Sequence, residues 1–255
     1  MISDERKQQI MNMLRIDGMV KVSQLSQTFG VSEVTVRNYL ADMESKGLLS
    51  RTHGGAISSY KPYCSMNFNQ RFETNRSDKE LIAKKIAEMI EPEDTVMFNA
   101  GTTTLLTFRN LPVDYKLNIV TNSISIALEA SLNPNFNVVL VGGTINAKYQ
   151  FTFGDDAALQ VKKYHADKLI LSVDGIDSGN GFSTYYNEES GVDKAMIEQS
   201  DICMIAADKS KLRRKAFAKV CDLSVADYII TTGKLEKNEI KAFTENGITT
   251  IIAKP

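Results

Sequence analysis

The chain has 255 residues, of which 43% are hydrophobic and 24% are charged, and this composition excludes a disordered or fibrous protein. The 30 basic and 31 acidic residues give a formal net charge of −1, so DNA binding requires a local basic patch instead of a uniformly basic surface. The N-terminus lacks the pattern of a signal peptide, and no apolar run reaches the roughly 18 residues that cross a bilayer. We therefore expect a cytoplasmic protein without a membrane partner.

A change in composition divides the chain into two parts. Between Ser58 and Asn67 the sequence mixes Ser, Pro and Asn without a helical or strand period, which is typical of a linker. We predict a first domain over residues 1–58, a linker over 59–76 and a second domain over 77–255.

The first part predicts three short helices followed by a β-hairpin. Gly30 ends the second helix in a tight turn, and Ser32 caps the third. In the third helix, apolar residues recur at the spacing of one buried face. The segment 48–57 then alternates around a Gly-Gly turn, as a two-stranded wing does.

The exposed face of the third helix carries small, polar and basic side chains, a composition that suits entry into the major groove of DNA. The same pattern also fits a small helical bundle with solvated arginines, and the spacing alone leaves both interpretations open. The wing favours DNA binding. The residues of this outward face are Glu33, Val34, Arg37, Asn38 and Ala41.

The second part predicts an α/β fold with a doubly wound, mostly parallel sheet. Short, continuous apolar runs are typical of strands buried on both faces, and helix-length amphipathic segments separate most of them. In such a sheet, ligands bind at the carboxyl ends of the strands. The predicted strands are 95–98, 117–120, 136–141, 168–173, 202–206, 227–230 and 249–253.

Small, polar or charged residues follow five successive strands. The turn from Gly101 to Thr104 opens a helix, where N–H groups and hydroxyls can surround a phosphate, and Asp174 can hold sugar hydroxyls. Each feature also has a structural interpretation as a helix cap or turn. With two histidines in the chain, we expect no His-based metal site and no cofactor. The residues expected to bind the ligand are Gly101, Thr102, Thr103, Thr104, Asn122, Ser123, Gly142, Gly143, Asp174, Gly175 and Lys211.

The run from Leu25 to Leu40, with the segment from Gly47 to Ala56, resembles the winged helix of the DeoR family of bacterial sugar-catabolism regulators. The chain departs from the family pattern at Asn38-Tyr39, where an arginine and an aspartate are typical. The resemblance implies DNA contacts from Ser32, Thr35, Arg37, Arg51, His53, Gly54 and Gly55.

The second part is similar to the sensor domain of the same family, whose fold resembles ribose-5-phosphate isomerase and whose ligands are phosphorylated sugars or sugar alcohols. The resemblance adds Lys194 to the expected ligand-binding residues. Asn99-Ala100 and Lys209 depart from the pattern. The matching motifs are Asn75–Lys79, Gly101–Thr103, Thr121–Ser123, Val141–Gly143, Asp174–Asp177, Glu188-Glu189 and Asp208–Lys211.

The resemblance implies a repressor of a carbohydrate-utilisation operon, released from operator DNA by a sugar phosphate and acting as a homo-oligomer, either dimer or tetramer. The alternative is an isomerase-like enzyme that uses Asp174, Asp177 and Glu188 or Glu189 as acid and base. Such isomerases carry a lysine soon after the aspartates, whereas residues 181–187 contain none. Binding without turnover is therefore favoured, and a scaffold without any ligand is the third interpretation.

Overall fold

The computed structural model describes residues 3–17, 19–45, 48–58 and 66–255. Its internal contacts divide the chain into two compact units, and the boundary along the chain falls between Met66 and Asn67. We describe each unit by itself.

The first unit is a winged helix-turn-helix. Its core contains Leu25, Val36, Leu40 and Met43, which are fully buried. Its described elements are α1 (Ser3–Asp17), β1 (Met19–Lys21), α2 (Val22–Phe29), α3 (Glu33–Ser45), β2 (Leu49–Thr52) and β3 (Gly55–Ser58).

The capping residues of α2 and α3 confirm where the sequence predicts that α2 ends and α3 begins. Gly30 ends α2 with φ 62°, a left-handed conformation that glycine adopts without strain. The N–H of Thr35 donates to Ser32 Oγ at 3.2 Å, which satisfies one unpaired amide of the first turn of α3.

The wing contains one strand more than the sequence predicts. The strands pair antiparallel in the order β1-β3-β2, with Val20 opposite Ala56 and Arg51 opposite Ala56 on the other side. Strand β1 is three residues long and leads directly into α2 at Val22, so it presents too short an alternation to be recognised.

The second unit is an α/β domain. No helix in the described ranges is both long and apolar enough to cross a membrane. Its described helices are α4 (Phe68–Glu73), α5 (Arg76–Ala87), α6 (Thr102–Arg109), α7 (Ile124–Ala130), α8 (Asp155–Val161), α9 (Asn187–Glu198) and α10 (Lys237–Glu245).

A seven-stranded parallel sheet forms the centre of this unit, in the order β15-β14-β12-β9-β4-β5-β6. The chain builds the sheet outward from β4 in one direction and returns to continue from β9 in the other. Parallel sheets of this kind open a crevice at such a reversal, at the carboxyl ends of the strands. The predicted strands are confirmed, within two residues, as β4 (Thr95–Phe98), β5 (Leu117–Thr121), β6 (Phe136–Leu140), β9 (Ala166–Ser172), β12 (Ser200–Ala206), β14 (Tyr228–Thr231) and β15 (Thr249–Ile252).

Two small antiparallel sheets lie outside the sequence-based prediction. Each of their strands has only three or four residues, which is too short for a strand period to be recognised. They consist of β7 (Thr144–Asn146) with β8 (Phe151–Phe153), and of β10 (Gly175–Asp177), β11 (Gly181–Thr184) and β13 (Ala218–Cys221).

The predicted linker over 59–76 is wrong in its second half. Helix α4 occupies Phe68–Glu73, with a capping box between Asn67 and Gln70, and Phe68 is buried in the core of the second unit. The linker prediction gave too little weight to the aromatic pair Phe68 and Phe72, which is spaced for one helical face. Residues 59–65 of the predicted linker lie outside the described residues.

Candidate DNA-binding surface and sensor site

Helix α3 presents the predicted DNA-reading face to solvent. Because Val36 and Leu40 point into the core, Glu33, Arg37 and Asn38 lie exposed on the opposite side. Arg37 Nη2 lies 3.4 Å from Glu33 Oε2, an exposed ion pair of a kind that contributes little to stability. Arg37 can therefore exchange this partner for DNA at low cost.

Ser32 and Thr35 begin the same helix. Their hydroxyl oxygens lie 2.9 Å apart, and Ser32 Oγ also caps the helix. Both groups stay near the positive end of α3, where a DNA phosphate is favoured. The structure thus places Ser32 and Thr35 together at the start of α3, and Arg37 follows within the first two turns.

The wing presents Arg51 and the turn His53-Gly54 to solvent. The N–H of Arg51 donates to Glu44 Oε1 at 2.7 Å, and Arg51 Nε lies 4.0 Å from Glu44 Oε2. This contact ties the wing to the end of α3.

Gly55 has a packing role, and its predicted DNA contact stays a prediction. It is buried, and a Cβ atom added there would lie 1.9 Å from the carbonyl oxygen of Val20. Strands β1 and β3 therefore approach each other at a distance that only glycine permits. At Gly54, by contrast, an added Cβ meets no atom within 4 Å.

In the second unit, Asn99 joins the ends of β4 and β9 at the reversal of the sheet. Its Oδ1 accepts from the N–H of Ser172 at 2.8 Å, and its Nδ2 donates to Ser172 O at 3.0 Å and to Asp193 Oδ1 at 3.1 Å. The side chain is fully buried. An added Cβ at Gly101 would lie 2.7 Å from Ser172 Cβ, so glycine is needed for this close approach.

The predicted phosphate turn forms the N-terminus of α6. Thr102 and Thr103 are buried, and their hydroxyls make no hydrogen bond within the described part of the chain. The Thr104 hydroxyl instead lies 2.8 Å from Asn99 O and 2.9 Å from Gly101 O, so it holds the turn together. Two of the three threonines thus keep hydroxyls for a ligand beside the unpaired N–H groups of the helix.

Asp174 is shared between two buried cations. Its Oδ1 lies 3.5 Å from Arg71 Nη1 and 3.4 Å from Lys211 Nζ, and its Oδ2 accepts from the N–H of Tyr185 at 3.1 Å. Burial alone would raise the pKa of the Asp174 carboxyl, but Arg71, Lys211 and the Tyr185 amide together hold it below its usual value. Asp174 is therefore ionised at neutral pH.

Lys79 adds a third cation to this cluster. It is fully buried, and its ammonium donates to the carbonyl of Arg71. Burial lowers the pKa of Lys79 to about 8, and repulsion by Lys211 and Arg71 contributes to the shift. Burial also lowers the pKa of Lys211 to about 8. Arg71, Lys79 and Lys211 therefore place three cationic side chains close to Asp174.

Two further carboxyl groups lie on the inner face of α9. Burial raises the pKa of Asp193 to about 7, although the hydrogen bond from Asn99 opposes the shift. Burial, Asp193 and Asp174 raise the pKa of Glu189 well above its usual value, and its Oε2 accepts from the Thr184 hydroxyl at 3.1 Å. A protonated carboxyl can donate a hydrogen bond and a carboxylate can accept one, which suits a ligand rich in hydroxyls.

Lys194 lies outside this cluster, whereas three predicted glycines have packing or backbone contacts and their ligand contacts stay predictions. Lys194 is exposed, because it lies one residue beyond the inward-facing Asp193 on α9. An added Cβ at Gly175 would lie 2.5 Å from Arg214 O, so this glycine serves packing. Gly142 donates its N–H to Gln160, and an added Cβ at Gly143 would lie 2.5 Å from Phe153 O.

Asn122 and Ser123 are fully buried beside the β7–β8 hairpin. Ser123 caps α7, and Asn122 Nδ2 donates to Thr152 O at 3.2 Å. Within the described residues, Asn122 Oδ1 has no hydrogen-bond partner. Asn122 therefore keeps one buried acceptor, and its predicted ligand contact stays a prediction.

The structure adds residues that the predicted ligand set omits. They are the cations Arg71 and Lys79 and the carboxyls Glu189 and Asp193. The spacing of Glu189 and Asp193, four residues apart beside apolar positions, was a signal for one buried helical face. Arg71 was missed because its helix fell in the predicted linker.

Two family models match the chain. One, described as the DeoR C terminal sensor domain, matches residues 74–233, and the other, the DeoR-like helix-turn-helix domain, matches residues 6–61. The chain belongs to the DeoR family of transcriptional regulators. It is a regulator, and the alternative of an isomerase-like enzyme is not favoured.

Curated relatives align with nearly the whole chain. The putative aga operon transcriptional repressor of Escherichia coli O157:H7 is 30% identical over 98% of this chain and 94% of its own length. The glycerol-3-phosphate regulon repressor of Escherichia coli (strain K12) is 28% identical over 96% of each. Among solved structures, ribose 5-phosphate isomerase A from Methanocaldococcus jannaschii has a TM-score of 0.40 and 14% identity, over 54% of this chain and 55% of that chain.

Proposed function

We propose that the chain represses a carbohydrate-utilisation operon and that a phosphorylated sugar or sugar alcohol releases it from its operator. The observation that carries the effector class is the buried cluster in which Arg71 and Lys211 share Asp174, with Lys79 beside them. A cluster of cationic side chains that is largely shielded from water favours an anionic ligand. Both relatives described above are named repressors, and one is named for a glycerol-phosphate regulon.

The remaining groups of the site suit the sugar part of such a ligand. Thr102 and Thr103 offer hydroxyls at the N-terminus of α6, and Glu189 and Asp193 offer carboxyl groups whose pKa values burial raises. Together they provide hydrogen-bond donors and acceptors next to a cationic region.

On the DNA side, Arg37 and its neighbours on α3 read the major groove, while Arg51 and His53 contact the backbone or minor groove from the wing. We propose a homo-oligomer, dimer or tetramer, because symmetry-related half-sites require at least two winged helices. A cytoplasmic location follows from the same proposal, since the operator lies there.

Fluorescence anisotropy of labelled DNA from upstream of the gene and its neighbouring operon tests this function, at one fixed salt concentration and with a panel of sugar phosphates. We expect selective binding that one phosphorylated compound reverses. Arg37→Ala should weaken operator binding by about 1–3 kcal/mol and reduce sequence selectivity. The control Arg109→Ala removes an exposed arginine of the second unit and should leave DNA binding unchanged.

The effector side is tested in the same assay with Thr103→Val, which keeps the side-chain shape and removes the hydroxyl. We expect a shifted effector dose–response and unchanged operator affinity without effector. An unchanged dose–response would remove Thr103 from the site. If no DNA is bound selectively, or if no phosphorylated compound reverses binding, the proposed function is wrong.

A further inference from the structure

Helix α4 connects the two segments that the family models match. Those segments end at residue 61 and begin at residue 74, so α4, at Phe68–Glu73, belongs to neither. Residues 59–66 lead from this helix to the winged helix. A ligand that binds the sensor site and also contacts α4 can therefore affect the segment that joins the sensor domain to the winged helix.

The described contacts fix α4 to the second unit at both ends. The N–H of Phe68 donates to Lys148 O at 3.2 Å, and the Phe68 ring is buried in the core. Toward the other end, the buried ammonium of Lys79 donates to the carbonyl of Arg71. One charged side chain of the helix, Arg71, then enters the sensor cluster.

Arg71 is held by groups of several types. Its Nη2 donates to the Tyr186 hydroxyl at 3.0 Å, and its Nη1 lies 3.5 Å from Asp174 Oδ1. The guanidinium carbon lies 4.8 Å from the ring centroid of Tyr149, 5.2 Å from that of Tyr186 and 5.8 Å from that of Tyr185. These tyrosine rings stabilise a cation and restrict its position. The guanidinium is thus preorganised beside Lys211, which shares the same Asp174 oxygen.

We propose that Arg71 binds the phosphoryl group of the effector together with Lys211, and that through Arg71 the effector acts on helix α4 and hence on the connection to the winged helix. This inference rests on the proposed function for the class of effector. A guanidinium pairs with a phosphoryl group in a bidentate geometry that a lysine does not provide. Lys211 follows strand β12 of the sheet, whereas Arg71 lies on α4. A phosphoryl group bound by both side chains therefore links α4 to this end of the sheet.

Inorganic phosphate is the probe for the first test, which uses the full chain without DNA. Hydrogen–deuterium exchange of residues 68–74 should slow when phosphate is added, because a ligand that binds the folded state suppresses local opening. Calorimetry should show that Arg71→Gln weakens phosphate binding about tenfold or more. Arg71→Lys should recover part of this loss, since it restores the charge without the bidentate geometry.

Arg76→Gln is the matched control. It removes an arginine that also pairs with α4, through Glu73, but this ion pair is exposed. We expect phosphate affinity and the phosphate-dependent protection of residues 68–74 to stay as in the unmodified chain. If phosphate leaves exchange of residues 68–74 unchanged in the unmodified chain, or if Arg71→Gln binds phosphate as tightly, the inference is wrong.

The second test connects the site to DNA. In the anisotropy assay, the sugar phosphate that releases operator from the unmodified chain should fail to release it from Arg71→Gln. A normal release from Arg71→Gln overturns the role of Arg71. Failure of every sugar phosphate to release the unmodified chain overturns the proposed function instead, and the exchange experiment on phosphate separates these two results.

Discussion

The two charged regions of the molecule use the same residue types in opposite surroundings. On the winged helix, Arg37 pairs with Glu33 in solvent, with 47% and 51% of the two side chains exposed. In the sensor site, Asp174 and Lys211 pair with 9% and 5% exposed. Water and salt screen the first pair, while burial strengthens the second and makes its disruption costly.

This difference bears on what each region can bind. An arginine with a weak, solvated partner can turn to a base or a phosphate with little loss of free energy. A buried pair changes partners only when the newcomer brings its own charge, because an unpaired buried ion is strongly disfavoured. The surface is therefore suited to adaptable contacts along DNA, and the sensor site is suited to an anion of defined shape.

The largest expected difference in stability between the two regions appears when one acidic residue is removed from each. Asp174→Asn leaves Arg71 and Lys211 without their shared carboxylate and should lower the free energy of unfolding of the second unit by about 3–5 kcal/mol. Glu33→Gln removes the partner of Arg37 and should cost about 1 kcal/mol or less in the first unit. Urea unfolding of both variants measures the contrast.

Added phosphate sharpens this result. It should stabilise Asp174→Asn more than the unmodified chain, since the variant leaves two cations to be compensated. Asp222→Asn, which removes an exposed acid paired with Lys219, is the control and should respond as the unmodified chain does. Equal costs for Asp174→Asn and Glu33→Gln would contradict the distinction between the two regions.

The sequence predicts the two regions unequally well, for a physical reason. The DNA-reading surface is local: Ser32, Thr35 and Arg37 lie within the first two turns of one helix, so a short stretch of sequence is enough to predict it. The sensor cluster is not local. Arg71 lies on α4, Asp174 lies in the loop after β9, and Lys211 lies in a short 3-10 helix after β12. The order of the strands brings these segments together, and no sequence period encodes that arrangement.

The strands also differ in how well the sequence predicts them. Those of the parallel sheet were predictable, because burial on both faces gives continuous apolar runs. Strands β1 and β10 were not, since each has three residues and depends on a neighbour for its conformation. The glycines illustrate the limit further: Gly55 was expected to contact DNA and Gly175 to bind the ligand, and the sequence did not indicate the close backbone packing that the structure shows at both.

A second prediction concerns the close packing of the backbone in the winged helix. Gly55→Ala places a methyl group against the Val20 carbonyl, so strands β1 and β3 must separate, and we expect a loss of about 3 kcal/mol in the stability of the first unit. Gly54→Ala, one residue away in open space, should change stability by about 0.5 kcal/mol or less.

Thermal unfolding and operator binding measure both glycine variants. Gly55→Ala should lose operator binding together with folded structure, whereas Gly54→Ala should remain folded. Equal stability of the two variants would show that the wing accommodates the added methyl group by a shift of β1. The winged helix would then tolerate backbone changes as readily as changes in its exposed side chains.

A third prediction concerns the pH dependence that burial gives the sensor site. Since burial raises the pKa of Asp193 to about 7, from 3.8 without burial, the folded state binds more protons than the unfolded state between these values. The stability that this group contributes is therefore fully present below about pH 4 and is lost as the pH rises to about 7, by at most about 1.4 kcal/mol per pH unit. Glu189, whose pKa is also raised, adds a slope of the same sign.

Asp193→Asn removes one titrating group and keeps a side chain that can hydrogen-bond to Asn99. Urea unfolding across this pH range should show a smaller decline in stability with rising pH for the variant than for the unmodified chain. Asp222→Asn, in which the acid removed is exposed, should keep the original slope. If Asp193→Asn keeps that slope as well, Asp193 is ionised throughout this range, and the donor to sugar hydroxyls must be Glu189 alone.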